Sequence, residues 1–289
     1  MDGAGGFNGA NYVGEIAPRD GTMLGFMGGT AWQFATDPER FRADLRNYEF
    51  IAFQPGTTVY YVRTDVPPGM KEPGDIVRTK DLIAGGNGVH NSRDLLIRLG
   101  LDILGVPHRY VTGYRSGQTA RLALQRNEVN YYAEPASAYR GAVEAQVINN
   151  GIAIPIYVDP VYNGESLSDS PQVEGMPIPA FQNLYQKVRG KAPSGELWDT
   201  YLSALALTSA MGRLVVLPPQ TPEAAVAALR TATARLNNDK AFAEDSTKAL
   251  GFVPNFVTGS ETNRLARQTL TVRPETRAFV ADYIKRANK

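Results

Sequence analysis

Residues 81–130 contain two copies of one hydrophobic and polar pattern. In each copy a short apolar run, at 81–84 and again at 109–112, precedes a glycine-containing loop and apolar residues at helical spacing. A third apolar run follows at 129–133. Strand, loop and helix in alternation predict a parallel sheet with helices on its faces. In such sheets, small molecules bind beyond the carboxyl ends of the strands, against helix N-termini.

The rest of the chain predicts an α/β protein. Further strands are predicted at 23–27, 50–53, 59–62, 152–158 and 214–217. Helices are predicted at 8–16, from Asp37 through Phe41 and Leu45, and at 139–146, 181–188, 197–208, 222–236, 242–250 and from Pro274 onward. The stretch 159–179 is rich in Pro, Gly and Ser, which predicts a mobile surface loop. Val66-Pro67-Pro68-Gly69 interrupts the pattern and is a candidate domain boundary.

Composition excludes several functions without selecting one. The 289 residues suffice for one large core or two ordinary ones, and 43% hydrophobic with 20% charged residues is typical of a globular protein. A net charge of +1 supplies no overall attraction to nucleic acid or an anionic membrane. With no cysteine and two histidines, the sequence offers no thiol chemistry and no metal-ligand cluster. It indicates no metal and no cofactor.

The first residues predict an incomplete N-terminal region. Met1-Asp2-Gly3 lacks the basic start and apolar stretch of a secretory signal. The chain begins on a glycine loop, Gly3-Ala4-Gly5-Gly6, without the strand that normally anchors such a loop. We therefore expect that part of the natural polypeptide precedes this sequence.

Several collinear motifs resemble one known family. The first is Gly3–Gly6 with Ala10-Asn11-Tyr12 and Ala17–Thr22, and the matches continue at 111–114, 122–130, 211–213, 218–222, 227–230, 250–252 and 259–261. Together they resemble tripartite tricarboxylate transporter substrate-binding proteins, also called Bug receptors. Each motif alone is weak, but their order over most of the chain is specific.

The resemblance implies a fold, a location and a partner. It implies a two-lobed periplasmic binding protein type II-like fold with its N-terminal part missing and a cleft between the lobes. We expect lobe 1 at 1–65 plus 212–289 and lobe 2 at 66–211. The implied function is that of a monomeric periplasmic receptor, which closes about a hinge on a small carboxylate and delivers it to a membrane permease.

Loops ahead of helices supply the candidate ligand contacts. Backbone N–H groups at a helix N-terminus bind anions without a charged side chain. The candidates are Gly3, Ala4, Gly5, Gly28, Gly29, Thr30, Gly86, Asn87, Gly88, His90, Asn91, Ser92, Tyr114, Arg115, Ser116 and Ser137. Each also has a purely structural interpretation as a helix cap, a tight turn or a solvated charge. For Arg115, a ligand contact and a solvated loop charge are equally good interpretations.

Three departures from the family pattern bear on these candidates. We expect the family's signal peptide, first strand and first ligand loop to be missing from this sequence. Asn127 and Asn130 stand where the family usually has Gly and Asp, which weakens any inference about the preferred ligand. The segment 159–197 is longer than in the family, and its role is open.

Two other functions compete with transport. A ligand-sensing receptor for a signalling partner would use the same site. A two-lobed α/β enzyme is the weaker alternative, because the sequence has no nucleophile elbow, no P-loop and no complete dinucleotide fingerprint.

Overall fold

The chain folds into two compact units that are each discontinuous in sequence. The computed structural model describes residues 7–286. The first unit comprises Met1–Gly56, Val161–Ser166 and Leu205–Ala278, and the second comprises Thr57–Pro160, Leu167–Ala204 and Phe279–Lys289. The lobe boundaries expected after residues 65 and 211 differ from these, since the strand at 59–62 and the residues from 279 belong to the second unit.

The described strands lie close to the apolar runs of the sequence. They are β1 (Gly25–Gly28), β2 (Glu49–Gln54), β3 (Thr58–Arg63), β4 (Leu82–Gly86), β5 (His108–Thr112), β6 (Tyr131–Pro135), β7 (Ala153–Val158), β8 (Val161–Tyr162), β9 (Leu167–Ser168), β10 (Arg213–Leu217) and β11 (Val257–Thr258).

The described helices account for much of the remaining chain. They are α1 (Phe7–Glu15), α2 (Thr30–Thr36), α3 (Ser92–Ile103), α4 (Gly117–Gln125), α5 (Ala136–Ala138), α6 (Phe181–Arg189), α7 (Glu196–Leu205), α8 (Glu223–Leu236), α9 (Lys240–Leu250), α10 (Thr262–Leu270) and α11 (Pro274–Arg286). α5 continues as a π-helix, Tyr139–Ile148, and α7 continues as another, Ala206–Ala210.

The first unit contains an antiparallel sheet of order β1-β10-β2-β11. Its core includes Ile51 of β2, Leu217 of β10 and Val226 of α8, all fully buried. Arg230 of α8 also donates to the Phe50 carbonyl at 2.9 Å and so fixes the helix to the sheet. The sequence made no prediction of how these strands pair, and β10 pairs with strands some 160 to 190 residues earlier in the chain.

The second unit contains a mixed sheet of order β5-β4-β6-β3-β7. β4 pairs in parallel with β5 and with β6, as the repeated pattern predicted. β3 runs antiparallel to both β6 and β7, so only one side of the sheet is parallel. α3 and α4 are the crossover helices that return the chain between the parallel strands.

Tyrosines dominate the core of the second unit. Tyr60 and Tyr157 stack with ring centroids 4.2 Å apart, and the Tyr131 hydroxyl donates to that of Tyr157 at 3.0 Å. Tyr60 and Tyr201 donate to the buried carboxylate of Asp159 at 3.0 and 2.5 Å. Each buried hydroxyl thus has a partner, as a buried polar group requires.

Three other expectations need correction. Asp37 does not begin an α-helix through Phe41 and Leu45, because the chain there forms only the 3₁₀ turns Pro38–Arg40 and Leu45–Asn47. The helix of that region is α2, which starts at Thr30. α10 was not predicted, since its apolar positions are few. In the stretch expected to be a mobile loop, Ser170 is buried and Arg140 donates to the Gln172 carbonyl at 3.1 Å.

Candidate functional site

Loops of the second unit meet where its parallel strands end. Because β4, β5 and β6 run in the same direction, their carboxyl ends share one edge of the sheet. The Asn87 amide, just after β4, donates to the Tyr114 carbonyl after β5 at 2.7 Å. The Tyr132 hydroxyl of β6 donates to Asn87 Oδ1 at 2.8 Å. Asn87 therefore connects the loops after β4 and β5 with a side chain of β6. We call this edge, with residues 86–93, 114–116, 132 and 137, the strand-end site.

The glycine loop after β4 encloses a buried carboxylate of the chain itself. Asp94 Oδ2 accepts the Gly88 N–H at 2.8 Å and the Tyr110 hydroxyl at 2.5 Å, and its Oδ1 is buried without a hydrogen-bond partner. Burial raises the pKa of Asp94, although the hydrogen bonds from Tyr110 and Gly88 oppose the shift. A Cβ on Gly86 would meet the Asp94 carboxylate and lie 2.6 Å from the Tyr110 ring. Gly86 is thus required by close packing, and the Gly88 N–H already has an anionic partner.

Two of the predicted donor side chains cap helices. Asn91 Oδ1 accepts the Arg93 N–H at 3.0 Å at the start of α3. Ser116 Oγ accepts the Thr119 N–H at 3.2 Å, and the Thr119 hydroxyl accepts the Ser116 N–H at 3.0 Å, which forms a capping box at the start of α4. These side chains serve the fold, and they hold both helix N-termini at the strand-end site.

The other candidates of this site differ in exposure. His90 and Arg115 are exposed, whereas Ser92, Tyr114 and Ser137 are half-buried. The second histidine, His108, is not a candidate of this site and places Nδ1 3.0 Å from the Val106 carbonyl oxygen. Tyr131 and Tyr132 divide as strand alternation requires, one joining the tyrosine core and the other contacting Asn87.

Arg93 lies at the strand-end site and Arg121 lies in α4, which begins beside it, and the two side chains differ in their ion-pair partners. Arg121 of α4 forms a two-pronged ion pair with the buried Glu134, at 2.9 and 3.0 Å. The Tyr61 hydroxyl also donates to Glu134 at 3.1 Å. The charge of Glu134, which would otherwise repel an anionic ligand, is therefore neutralised by Arg121. Within residues 7–286, Arg93 of α3 makes two long hydrogen bonds, 3.4 Å to the Ala133 carbonyl and 3.5 Å to the Tyr132 hydroxyl.

The sequence interpretation did not select Arg93 or Asp94. One signal was available, because Ser92-Arg93-Asp94 puts a cation in the first turn of α3. A positive charge there opposes the helix dipole, so such a residue requires another explanation. The burial of Asp94 had no signal in the sequence, since an acid in a first helical turn is ordinarily a solvated charge.

The remaining candidates lie in the first unit or outside the described residues. Gly28 ends β1, and Gly29 caps α2 with φ of 73°, a conformation that favours glycine. Thr30 is buried at the start of α2. A cavity of about 500 Å³ borders Gly28 and Thr30 and is lined mainly by apolar side chains such as Val13 and Phe26. Gly3, Ala4 and Gly5 lie outside the described residues.

The two asparagines that depart from the family pattern have structural roles. Asn127 adopts φ of 59° just after α4, where the family's glycine would be at ease. Asn130 Oδ1 accepts the Ile83 N–H at 2.7 Å, and its amide donates to the Asp81 carbonyl at 3.1 Å. Both residues lie at the amino ends of the parallel strands, so they do not report on the ligand.

Solved structures with this fold are periplasmic solute-binding proteins. No family model and no curated protein matches the sequence. A TctC solute-binding protein from Polaromonas superposes with a TM-score of 0.62 at 15% identity, covering 98% of this chain and 84% of that one. The periplasmic binding protein BugD gives 0.59 at 18% identity, covering 99% and 84%. MatC from Rhodopseudomonas palustris with bound malate gives 0.57 at 19% identity, covering 98% and 86%.

These similarities confirm the expected fold. The chain has the α/β fold of periplasmic solute-binding proteins and, within that class, the fold of the TctC and Bug proteins to which its motifs were compared. At such low identity the similarity extends to the fold alone, and the ligand must be argued from the residues of this chain.

Two further properties of the described residues concern membrane-spanning helices and metal sites. None of the helices within residues 7–286 combines the length and the apolar character that crossing a bilayer requires. Within the same residues, no three His, Asp or Glu side chains are grouped closely enough to hold a metal ion.

Proposed function

We propose that this protein is an extracytoplasmic solute receptor that binds a small carboxylate. One observation carries the proposal, which is that Asn87 joins the loops after β4 and β5 and contacts Tyr132 of β6 in the second unit. The N-termini of α3 and α4 lie at the same edge, and their first-turn N–H groups have no partners within the helices. Such an edge suits an anion, because the N–H groups and the helix dipoles both favour negative charge.

The chemistry of this edge favours a receptor over an enzyme. Asn87, Tyr132 and Tyr114 offer hydrogen bonds, and none of them is a base paired with a nucleophile. The acids nearest the site are engaged, Glu134 with Arg121 and Asp94 with Gly88 and Tyr110. The arrangement can hold and orient an anion but has no group poised to transfer a proton or attack a carbonyl carbon.

The proposed ligand contacts in the second unit retain the residues expected from the sequence. They are Gly86, Asn87, Gly88, His90, Asn91, Ser92, Tyr114, Arg115, Ser116 and Ser137, with Gly86, Asn91 and Ser116 acting chiefly by shaping loops and caps. Gly28, Gly29 and Thr30 in the first unit, and Gly3, Ala4 and Gly5, stay predictions that rest on the family resemblance.

The fold supports a location and a partner for this receptor. Proteins with this fold are described as periplasmic, and one of them, MatC, contains malate. We propose that this chain likewise acts in the periplasm as a monomer and passes its ligand to a membrane permease of the tripartite tricarboxylate type.

Calorimetric titration tests the proposal. The protein is titrated with succinate, malate, adipate, citrate and glutamate, and with neutral amides of the same acids as controls. We expect saturable binding of at least one free acid, no binding of its neutral amide, and recovery of the acid unchanged after prolonged incubation. Failure of every acid to bind, or conversion of one to a product, would contradict it.

A further inference from the structure

We infer that Arg93 is the residue that selects a carboxylate group at the strand-end site. The inference rests on the proposed receptor function and extends it, since Arg93 was not among the contacts expected from the sequence. Three features of this side chain support it: within residues 7–286 its charge has no ion-pair partner, its hydrogen bonds are few and long, and its position opposes the helix dipole.

The unpaired charge is unusual for a side chain this enclosed. Arg93 is half-buried, yet within residues 7–286 no carboxylate comes close enough to form an ion pair with it. Asp94 is adjacent in sequence, but its Oδ2 faces the Gly88 N–H and the Tyr110 hydroxyl. Arg121 of α4 is also enclosed, and it has Glu134 as its ion-pair partner. An enclosed arginine normally has such a counter-ion, because burying an isolated charge is unfavourable.

The donors of Arg93 are largely available. A guanidinium carries five N–H groups. Within residues 7–286, both hydrogen bonds of the Arg93 side chain use Nη1, at 3.4 and 3.5 Å. Both lengths lie beyond the 2.7–2.9 Å of a strong charge-assisted bond. The acceptors are the Ala133 carbonyl and the Tyr132 hydroxyl, and Tyr132 is the residue that contacts Asn87. The guanidinium therefore lies beside the point where the loops after β4 and β5 meet Tyr132.

The position in the helix completes the argument. Arg93 is in the first turn of α3, where the helix dipole is unfavourable for a cation. A bound carboxylate would offset the unfavourable interaction between the Arg93 charge and the helix dipole, because it would interact favourably with both the guanidinium and the helix N-terminus. We therefore assign a ligand with a free carboxylate that pairs with Arg93 in a two-pronged geometry.

Three substitutions test the assignment. Arg93→Gln removes the charge, Arg93→Lys keeps the charge without the planar fork, and Arg126→Gln neutralises an exposed arginine that follows α4 and lies outside the strand-end site. We expect Arg93→Gln to weaken carboxylate binding about 10- to 100-fold, the effect of losing a hydrogen-bonded charge. Arg93→Lys should fall between this variant and wild type, and Arg126→Gln should stay within about twofold of wild type.

A ligand analogue separates a direct contact from a loss of structure. Malate and its two monoamides are titrated against wild type and Arg93→Gln, with thermal unfolding as a check on folding. Wild type should discriminate against one monoamide by about the factor lost in Arg93→Gln, whereas the variant should bind that monoamide and malate almost equally.

The outcomes distinguish this inference from the receptor proposal. If wild type binds malate or another of the acids, and Arg93→Gln binds it equally well, the Arg93 assignment is wrong while the receptor proposal stands. Equal discrimination against the monoamide in wild type and Arg93→Gln also overturns the assignment. If wild type binds none of the acids, the receptor proposal fails and the Arg93 assignment fails with it.

Discussion

Three buried carboxyl groups in the second unit are stabilised in three ways. Glu134 pairs with Arg121, Asp159 accepts two tyrosine hydroxyls, and Asp94 accepts a backbone N–H and one tyrosine hydroxyl. The difference matters because a guanidinium balances a full negative charge, whereas hydroxyls do so only in part. Stability should therefore respond to pH and to substitution differently at each residue.

The first prediction concerns Asp159 and pH. Burial raises the pKa of Asp159 to about 7, and the hydroxyls of Tyr201 and Tyr60 oppose that shift. Its pKa in the unfolded chain is about 3.9, so the folded state binds the extra proton between these two values. The contribution of Asp159 to the free energy of unfolding is therefore full below about pH 4 and declines as pH rises to about 7.

Urea unfolding at several pH values measures this effect. We expect Asp159→Asn to lose less stability than wild type between pH 5 and pH 8, because the amide cannot ionise. Asp169→Asn, at an exposed acid in the same unit, should follow wild type. Parallel curves for wild type and Asp159→Asn would refute the role of this carboxyl group.

The second prediction concerns the ion pair of Arg121 and Glu134. Arg121→Met leaves a buried carboxylate without its counter-ion, which should reduce the free energy of unfolding by about 3–5 kcal/mol. Adding Glu134→Gln should restore most of that loss. Arg126→Met, which removes an exposed partner of Glu128 at 4.0 Å, should change stability by about 0–1 kcal/mol. Urea unfolding of wild type and the three variants at pH 7 measures these changes. A double variant no more stable than Arg121→Met would contradict the argument.

At the scale of elements, the sequence predicted the local succession of strands and helices but not the pairing of distant strands. The succession of β4, α3, β5, α4 and β6 follows from apolar spacing, glycine loops and capping residues within 55 residues of chain. The antiparallel pairing of β1 with β10 joins Gly25 to Val216, and no local signal specifies it. The α-helix expected from Asp37 is also not present, because the chain forms two 3₁₀ turns there.

The third prediction concerns the glycine loop between β4 and α3. Gly86→Ala should reduce the free energy of unfolding by about 1–3 kcal/mol, because a methyl group there meets the Asp94 carboxylate and the Tyr110 ring. Gly88→Ala is the matched control, since a Cβ on Gly88 has no atom within 4 Å. Thermal unfolding should therefore separate the two variants clearly. Equal effects would mean that the loop is not packed against Asp94 as described.

At the scale of the whole molecule, each unit contains one of the two tryptophans. Trp32 is buried in α2 of the first unit, and Trp198 is buried in α7 of the second, where it stacks on Tyr201 with centroids 5.5 Å apart. Trp32→Phe and Trp198→Phe therefore give variants whose remaining tryptophan reports on one unit alone.

The fourth prediction uses these variants to locate ligand binding. A ligand at 100 times its dissociation constant stabilises the state that binds it by about 2.7 kcal/mol. With a carboxylate that binds wild type, the urea midpoint reported by Trp198 in Trp32→Phe should rise. The neutral amide of the same acid is the control and should leave it unchanged. A ligand that shifts the Trp32 signal but not the Trp198 signal would place the site outside the second unit.

The sequence by itself determined the α/β class, the repeated strand-loop-helix unit and the family whose fold this chain shares, because these depend on local spacing and on motif order. The tertiary structure decided how the residues of the site divide their roles. Asn91 and Ser116 are caps, Asn87 links the loops after β4 and β5 to Tyr132, Asp94 is buried, and Arg93 forms no ion pair within residues 7–286. These roles depend on which side chains meet across strands and loops, and on how much water reaches each charge.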